Sequence, residues 1–132
     1  MSRRNPSQHS GARHVEAYVH LDRIGVLVEL ESVDDFSCRT EEFRELARDL
    51  AIHIAAMAPV GIERVALDEI GRWLPVAPEA AAVPEGTPDS LLEQPFVRDD
   101  RITVAQRIAR TEEALGVAIR VRRFVRFDAD ES

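Results

Sequence analysis

The stretch "VDDFSCRTEEF", residues 33–43, holds the side chains most suited to acting on another molecule. Asp34 and Asp35 set two carboxylates beside Phe36, just ahead of a helix start at Thr40. Such a start calls for a capping oxygen and acid in the first turn, which Thr40, Glu41 and Glu42 supply. It has no need of Phe36. Two readings follow from the residues. Asp35 caps the helix while Phe36 folds back on the core, or Asp35 and Phe36 form a polar–aromatic wedge for another protein. In the second reading Asp34, Ser37 and Arg39 are the flanking contacts.

Other chemistry is weaker. His14, His20 and Asp22 fall on one polar strand face at spacings of six and two, which sketches a metal site. Solvent-facing polar residues on an amphipathic strand account for them better, so no metal is expected. Cys38 is the only cysteine, which excludes an internal disulfide and a cysteine-based zinc cluster. Its one basic neighbour is Arg39, a poor activator. Gly25, Gly61, Gly71, Gly86 and Gly116 stand apart, so no glycine loop cradles phosphate. No serine sits in a nucleophile elbow, and His53 reads as a helix-flank residue. The expectation is a protein that acts by binding, with no catalytic residue and no cofactor. Arg120, Arg122 and Arg126 flank Phe124 in the manner of an RNA-stacking strand. The net charge of −7 opposes that reading and favours pairing of these arginines with acidic neighbours.

The elements that must carry these residues follow from periodicity. "HVEAYVHLD" alternates, with Val15, Ala17, Val19 and Leu21 on one face and Glu16, Tyr18, His20 and Asp22 on the other. "RIGVLVELE" continues with Ile24, Val26, Val28 and Leu30 inward, and a turn at Asp22-Arg23 makes the two an antiparallel hairpin over residues 15–31. Phe43, Leu46, Ala47, Leu50, Ala51, Ile54 and Met57 recur at three and four residues, which predicts a helix from Thr40 to Met57, ended by Pro59 and Gly61. A weaker helix is expected over about 63–74. Residues 75–90 hold four of the seven prolines and read as a linker. A short helix over 103–115 turns Val104, Ile108 and Leu115 inward. A final strand over 118–127 places Ile119, Val121, Val125 and Phe127 on the buried face, with Arg123 obliged to snorkel.

The expected fold is α+β: a three-stranded, mainly antiparallel sheet with helices packed on one face. One domain over 14–127 suits 132 residues, between a disordered tail over 1–13 and a C-terminal tail over 128–132. The first 13 residues hold no apolar stretch for a secretory signal. The longest apolar run, around Ala51 to Ile62, falls short of the roughly 20 residues of a membrane span. A cytoplasmic location without membrane attachment is expected. All 17 basic residues are Arg, which fits a compositional bias rather than a site.

Three stretches, taken together, resemble one known family. "RIGVLVELESVDDFSCRTEEFRELARDLAIHIAAM", residues 23–57, is similar to the first half of the dimerisation domain of bacterial elongation factor Ts. "LLEQPFVRDD", residues 91–100, and "IRVRRFVRF", residues 119–127, are similar to its end. The resemblance implies a guanine-nucleotide exchange factor that binds the GTPase elongation factor Tu and promotes GDP release. It also implies a role for an Asp-Phe pair, within Thr-Asp-Phe-Val, that inserts near the GTPase's magnesium. Asp34, Asp35, Phe36 and Ser37 stand at those positions, so Asp35 and Phe36 match while Thr and Val are replaced. The family's N-terminal helical domain has no counterpart in the polar tail, and its longer middle segment is cut to the proline-rich stretch. The expectation is a shortened member or paralogue. Three functions remain open: exchange factor, non-exchanging elongation factor Tu-binding paralogue or regulator, and RNA-associated protein. A homodimer is compatible with each.

Overall fold

The computed structural model describes residues 11–62, 65–67, 73–75 and 90–130. Strand β1 (Ala12–His20) pairs antiparallel with β2 (Ile24–Ser32), followed by a one-turn helix α1 (Asp35–Cys38) and the long helix α2 (Glu41–Met57). Strands β3 (Val65–Leu67) and β4 (Trp73–Pro75) pair with each other, as do β5 (Pro95–Phe96) and β6 (Asp99–Thr103). A 3-10 turn (Leu91–Glu93) precedes β5, and helix α3 (Val104–Leu115) leads to β7 (Ile119–Asp128). The main sheet has the order β1-β2-β7, antiparallel throughout. This is the expected three-stranded sheet with helices on one face. β1 starts at Ala12, two residues before the expected boundary.

α2 is the element that the sequence specifies most fully. The Thr40 hydroxyl accepts from the Phe43 N–H at 3.2 Å, and Glu41 and Glu42 lie at the positive end of the macrodipole. Phe43, Leu46, Ala47, Leu50, Ala51 and Ile54 are fully buried against Val26, Val28 and Leu30 of β2. The helix stops at Ala58, whose left-handed backbone (φ 47°) returns its N–H to the Ile54 carbonyl. Arg126 of β7 donates to the Ala55 carbonyl at 3.1 and 3.2 Å, satisfying an oxygen that the helix end leaves open.

Two side-chain assignments are corrected. The hairpin turns through Leu21 and Asp22 (φ 51° and 58°), closed by the Arg23 N–H to the His20 carbonyl at 2.9 Å. His20 therefore lies opposite Ile24, where a turn at Asp22-Arg23 would have placed Leu21. A slip of one residue exchanges the two faces of a strand. His14 and Tyr18 thus share the α2 face of the sheet with Leu30 and Val26, while Val15 and Val19 are exposed on the other. In β7 the register shifts at Arg122, an extra residue between the Glu29–Arg123 and Leu30–Val121 pairs. Ile119 and Val121 are buried as expected, but past the bulge the parity inverts. Phe124 and Arg126 turn inward, and Val125 and Phe127 are exposed, Phe127 by 71%.

Two further expectations change. Of the weak helix expected over about 63–74, residues 65–67 and 73–74 are in strands instead, and the rest of that stretch lies outside the described residues. Gly71 disfavours a helix there by about 1 kcal/mol. The proline-rich stretch 75–90 lies outside the described residues except for Pro75, which ends β4, and Ser90, which bridges Gly61. His53 is not on a helix flank. It is fully buried, with Nε2 2.8 Å from the Gln94 Oε1, Nδ1 accepting the Val97 N–H at 3.1 Å, and its ring stacked on Phe96.

Candidate functional site

Between β2 and α2 the chain makes the single helical turn α1, which the sequence reading treats as loop. Asp34, not Asp35, is its cap: the Asp34 Oδ1 accepts from the Ser37 N–H at 2.8 Å. That hydrogen bond to the carboxylate holds Asp34 below the ordinary range for an aspartate. At the other end the Thr40 hydroxyl donates to the Ser37 carbonyl at 2.8 Å while capping α2. Thr40 therefore joins the two helices through one side chain. Ser37 and Cys38 are buried, the Cys38 thiol 3.8 Å from the Ala12 carbonyl. Burial, followed by the charges of Asp35 and Asp34, pushes that thiol's pKa up, so it is no nucleophile.

With its cap and buried side fixed, the turn presents Asp35, Phe36 and Arg39 to solvent. Phe36 is 77% exposed and makes no return to the core. Asp35 pairs with Arg39 across one turn at 3.0 Å, and both side chains are about three-quarters exposed. Of the five residues singled out from sequence, four are thus on the surface, Asp34 among them as the cap, and Ser37 alone is buried.

The remaining candidates are apart. His14 faces inward, edge-on to Phe43 and 2.9 Å from Glu16, while His20 bonds the Tyr18 hydroxyl. Among the described residues no group of three metal-ligating side chains occurs. Arg122 and Arg123 of β7 meet Glu29 at 3.4 and 2.9 Å, and Glu31 lies within 3.8 Å of Arg13, Arg120 and Arg122. Phe124, the supposed stacking platform, is half-buried on the inner face. Among the described residues no helix is long and apolar enough to cross a membrane.

The family profile "Elongation factor TS" matches residues 1–71, which include β1, β2, α1 and α2. The chain belongs to the elongation factor Ts family. The chain is 37% identical to elongation factor Ts of Acetivibrio thermocellus, over 89% of this chain and 64% of that protein. It is also 37% identical to that of Rubrobacter xylanophilus, over 86% of this chain and 69% of that protein, and 38% identical to that of Desulforamulus reducens, over 89% and 63%. The chain thus spans about two thirds of the length of these relatives.

Proposed function

We propose that this elongation factor Ts family protein binds elongation factor Tu in the cytoplasm and accelerates GDP release, with Phe36 as the wedge and Asp35 beside it. The observation that carries the reading is the 77% exposure of Phe36 on a turn whose cap and buried side are fixed. An apolar ring gains nothing from water, and a fixed backbone spares the entropy of ordering it on binding. Magnesium bridges the phosphates of a bound nucleotide and contributes much of its hold on a P-loop GTPase. A wedge that displaces the elements around the metal lowers nucleotide affinity, and nucleotide must lower affinity for the wedge by the same factor. No covalent chemistry is asked of the protein. It acts as an exchange factor by binding alone.

The test is release of fluorescent GDP from purified elongation factor Tu. Phe36→Ala should slow stimulated release by about tenfold or more, since a buried aromatic anchor is often worth about 2 kcal/mol. The same variant should melt within about 2 °C of wild type, because so exposed a ring contributes little to folding. Unchanged release by a folded Phe36→Ala protein would remove the wedge.

A second reading follows from Asp34 and Ser37, which replace the Thr and Val that flank the Asp-Phe pair in the family: a paralogue that binds elongation factor Tu without exchanging nucleotide. It predicts measurable binding with no stimulated release. An RNA-binding reading has less support, because Arg122 and Arg123 already pair with Glu29.

A further inference from the structure

Arg39 sits in acidic surroundings. Residues 34–42 contain the carboxylates Asp34, Asp35, Glu41 and Glu42, and Arg39 is the only basic residue in that stretch. A nucleotide–metal site is itself rich in anionic oxygen, from phosphates and from the carboxylate that holds magnesium. An acidic turn brought to such a site meets like charge, and the repulsion rises once the metal leaves. Some cation must offset it. Asp34 is exposed but carries a like charge, and Ser37 is buried, so neither supplies that cation. Arg39 stays exposed on the same turn as Phe36, held only by Asp35.

We infer that Arg39 changes partner on docking. In the free protein its guanidinium is paired with the Asp35 carboxylate; in the complex it takes an anionic oxygen of the GTPase's nucleotide site. An exposed pair of this kind contributes little to folding, so opening it is cheap. A guanidinium pairing in a desolvated interface gains far more, and its planar fork suits phosphate and carboxylate alike. The Asp35–Arg39 pair therefore offsets one carboxylate of the turn before contact and leaves the cation for the complex. This inference rests on the wedge reading of the same turn.

The experiment compares wild type, Arg39→Gln, Arg39→Lys and Phe36→Ala by binding to GDP-loaded and nucleotide-free elongation factor Tu, at low and high salt, with thermal melting as a control. Arg39→Gln should weaken binding by about tenfold or more, flatten its salt dependence and leave melting unchanged; Arg39→Lys should restore part of the loss. A loss confined to the GDP-loaded form identifies a nucleotide phosphate as the acceptor, and a loss in both forms identifies a protein carboxylate. Phe36→Ala should weaken binding while keeping the salt dependence of wild type. Binding by Arg39→Gln within twofold of wild type in both forms, with Phe36→Ala impaired, overturns the role of Arg39 and leaves the wedge standing. Absence of any binding by wild type overturns both.

Discussion

Enclosed by Phe96 and Gln94, the imidazole of His53 has room for one proton. Nδ1 accepts from the Val97 N–H, so the proton sits on Nε2 and points to Gln94. A second proton, on Nδ1, would face an N–H donor. Burial lowers the pKa of His53 below the ordinary 6.5, while the hydrogen bond to Gln94 works weakly the other way. The unfolded chain thus takes up a proton at a higher pH than the folded one. Stability should be full above about pH 6.5 and fall as the pH drops from there toward the folded pKa, by at most about 1.4 kcal/mol per pH unit. Melting curves from pH 8 to pH 5 would measure it. His53→Gln should be less stable throughout, with a flatter dependence across that window. The neighbouring charges, Asp49 with Arg98 and Arg107, are already paired and supply no free carboxylate to hold an imidazolium.

Asp49 matters most at the scale of elements. It projects from α2, is almost wholly buried, and binds Arg98 at 3.0 Å and Arg107 of α3 at 3.1 Å. Arg107 also donates to Thr111 and lies over the Phe96 ring. Removing the carboxylate leaves a guanidinium, 13% exposed, without its counter-charge. Asp49→Ala should cost about 3 kcal/mol by urea unfolding, and a cost under about 1 kcal/mol would show that α2 and α3 are held by apolar contact alone. Nothing in the sequence pairs residue 49 with residue 107; periodicity reports which face of a helix is apolar, not which charges meet across a fold. The same limit explains the strands. The existence and order of β1, β2 and β7 were legible from alternation, as were α2, its Thr40 cap and its stripe, while β3 to β6 are too short to show a period. The facing of β1 was not, because Leu21 and Asp22 adopt left-handed backbones without the Asn-Gly that advertises such a turn. The bulge at Arg122 was hidden for a similar reason: an inserted residue leaves the letters unchanged and shifts only their parity. At the candidate site, Asp35, Phe36 and Arg39 were legible as surface residues, but the commitment of Asp34 to a cap required the backbone of α1.

For the whole molecule, the two faces of the sheet differ sharply. One is closed by α2; the other leaves Val15, Val19, Leu27, Val125 and Phe127 open to solvent, next to the Glu29–Arg123 pair. Phe127→Ser should therefore shift the melting temperature by no more than about 2 °C, in keeping with a surface position. Phe43→Ala, at a fully buried ring, should cost about 3 to 5 kcal/mol. A large loss in Phe127→Ser would return that ring to the core and restore the facing expected from simple alternation.

The strand order β1-β2-β7 also fixes when a growing chain can finish folding. β2 meets β1 across a three-residue connection, but its other edge waits for a partner 94 residues further on, the distance from Glu29 to Arg123. Closing a loop of that length costs on the order of 4 kcal/mol in chain entropy. Until β7 leaves the ribosome, the hairpin has α2 to pack against but keeps one edge open, and the three-stranded sheet is incomplete. Val28 and Leu30 would lack their cross-strand partners Phe124 and Val121. The sheet thus reaches its final form only after nearly all of these residues have been translated.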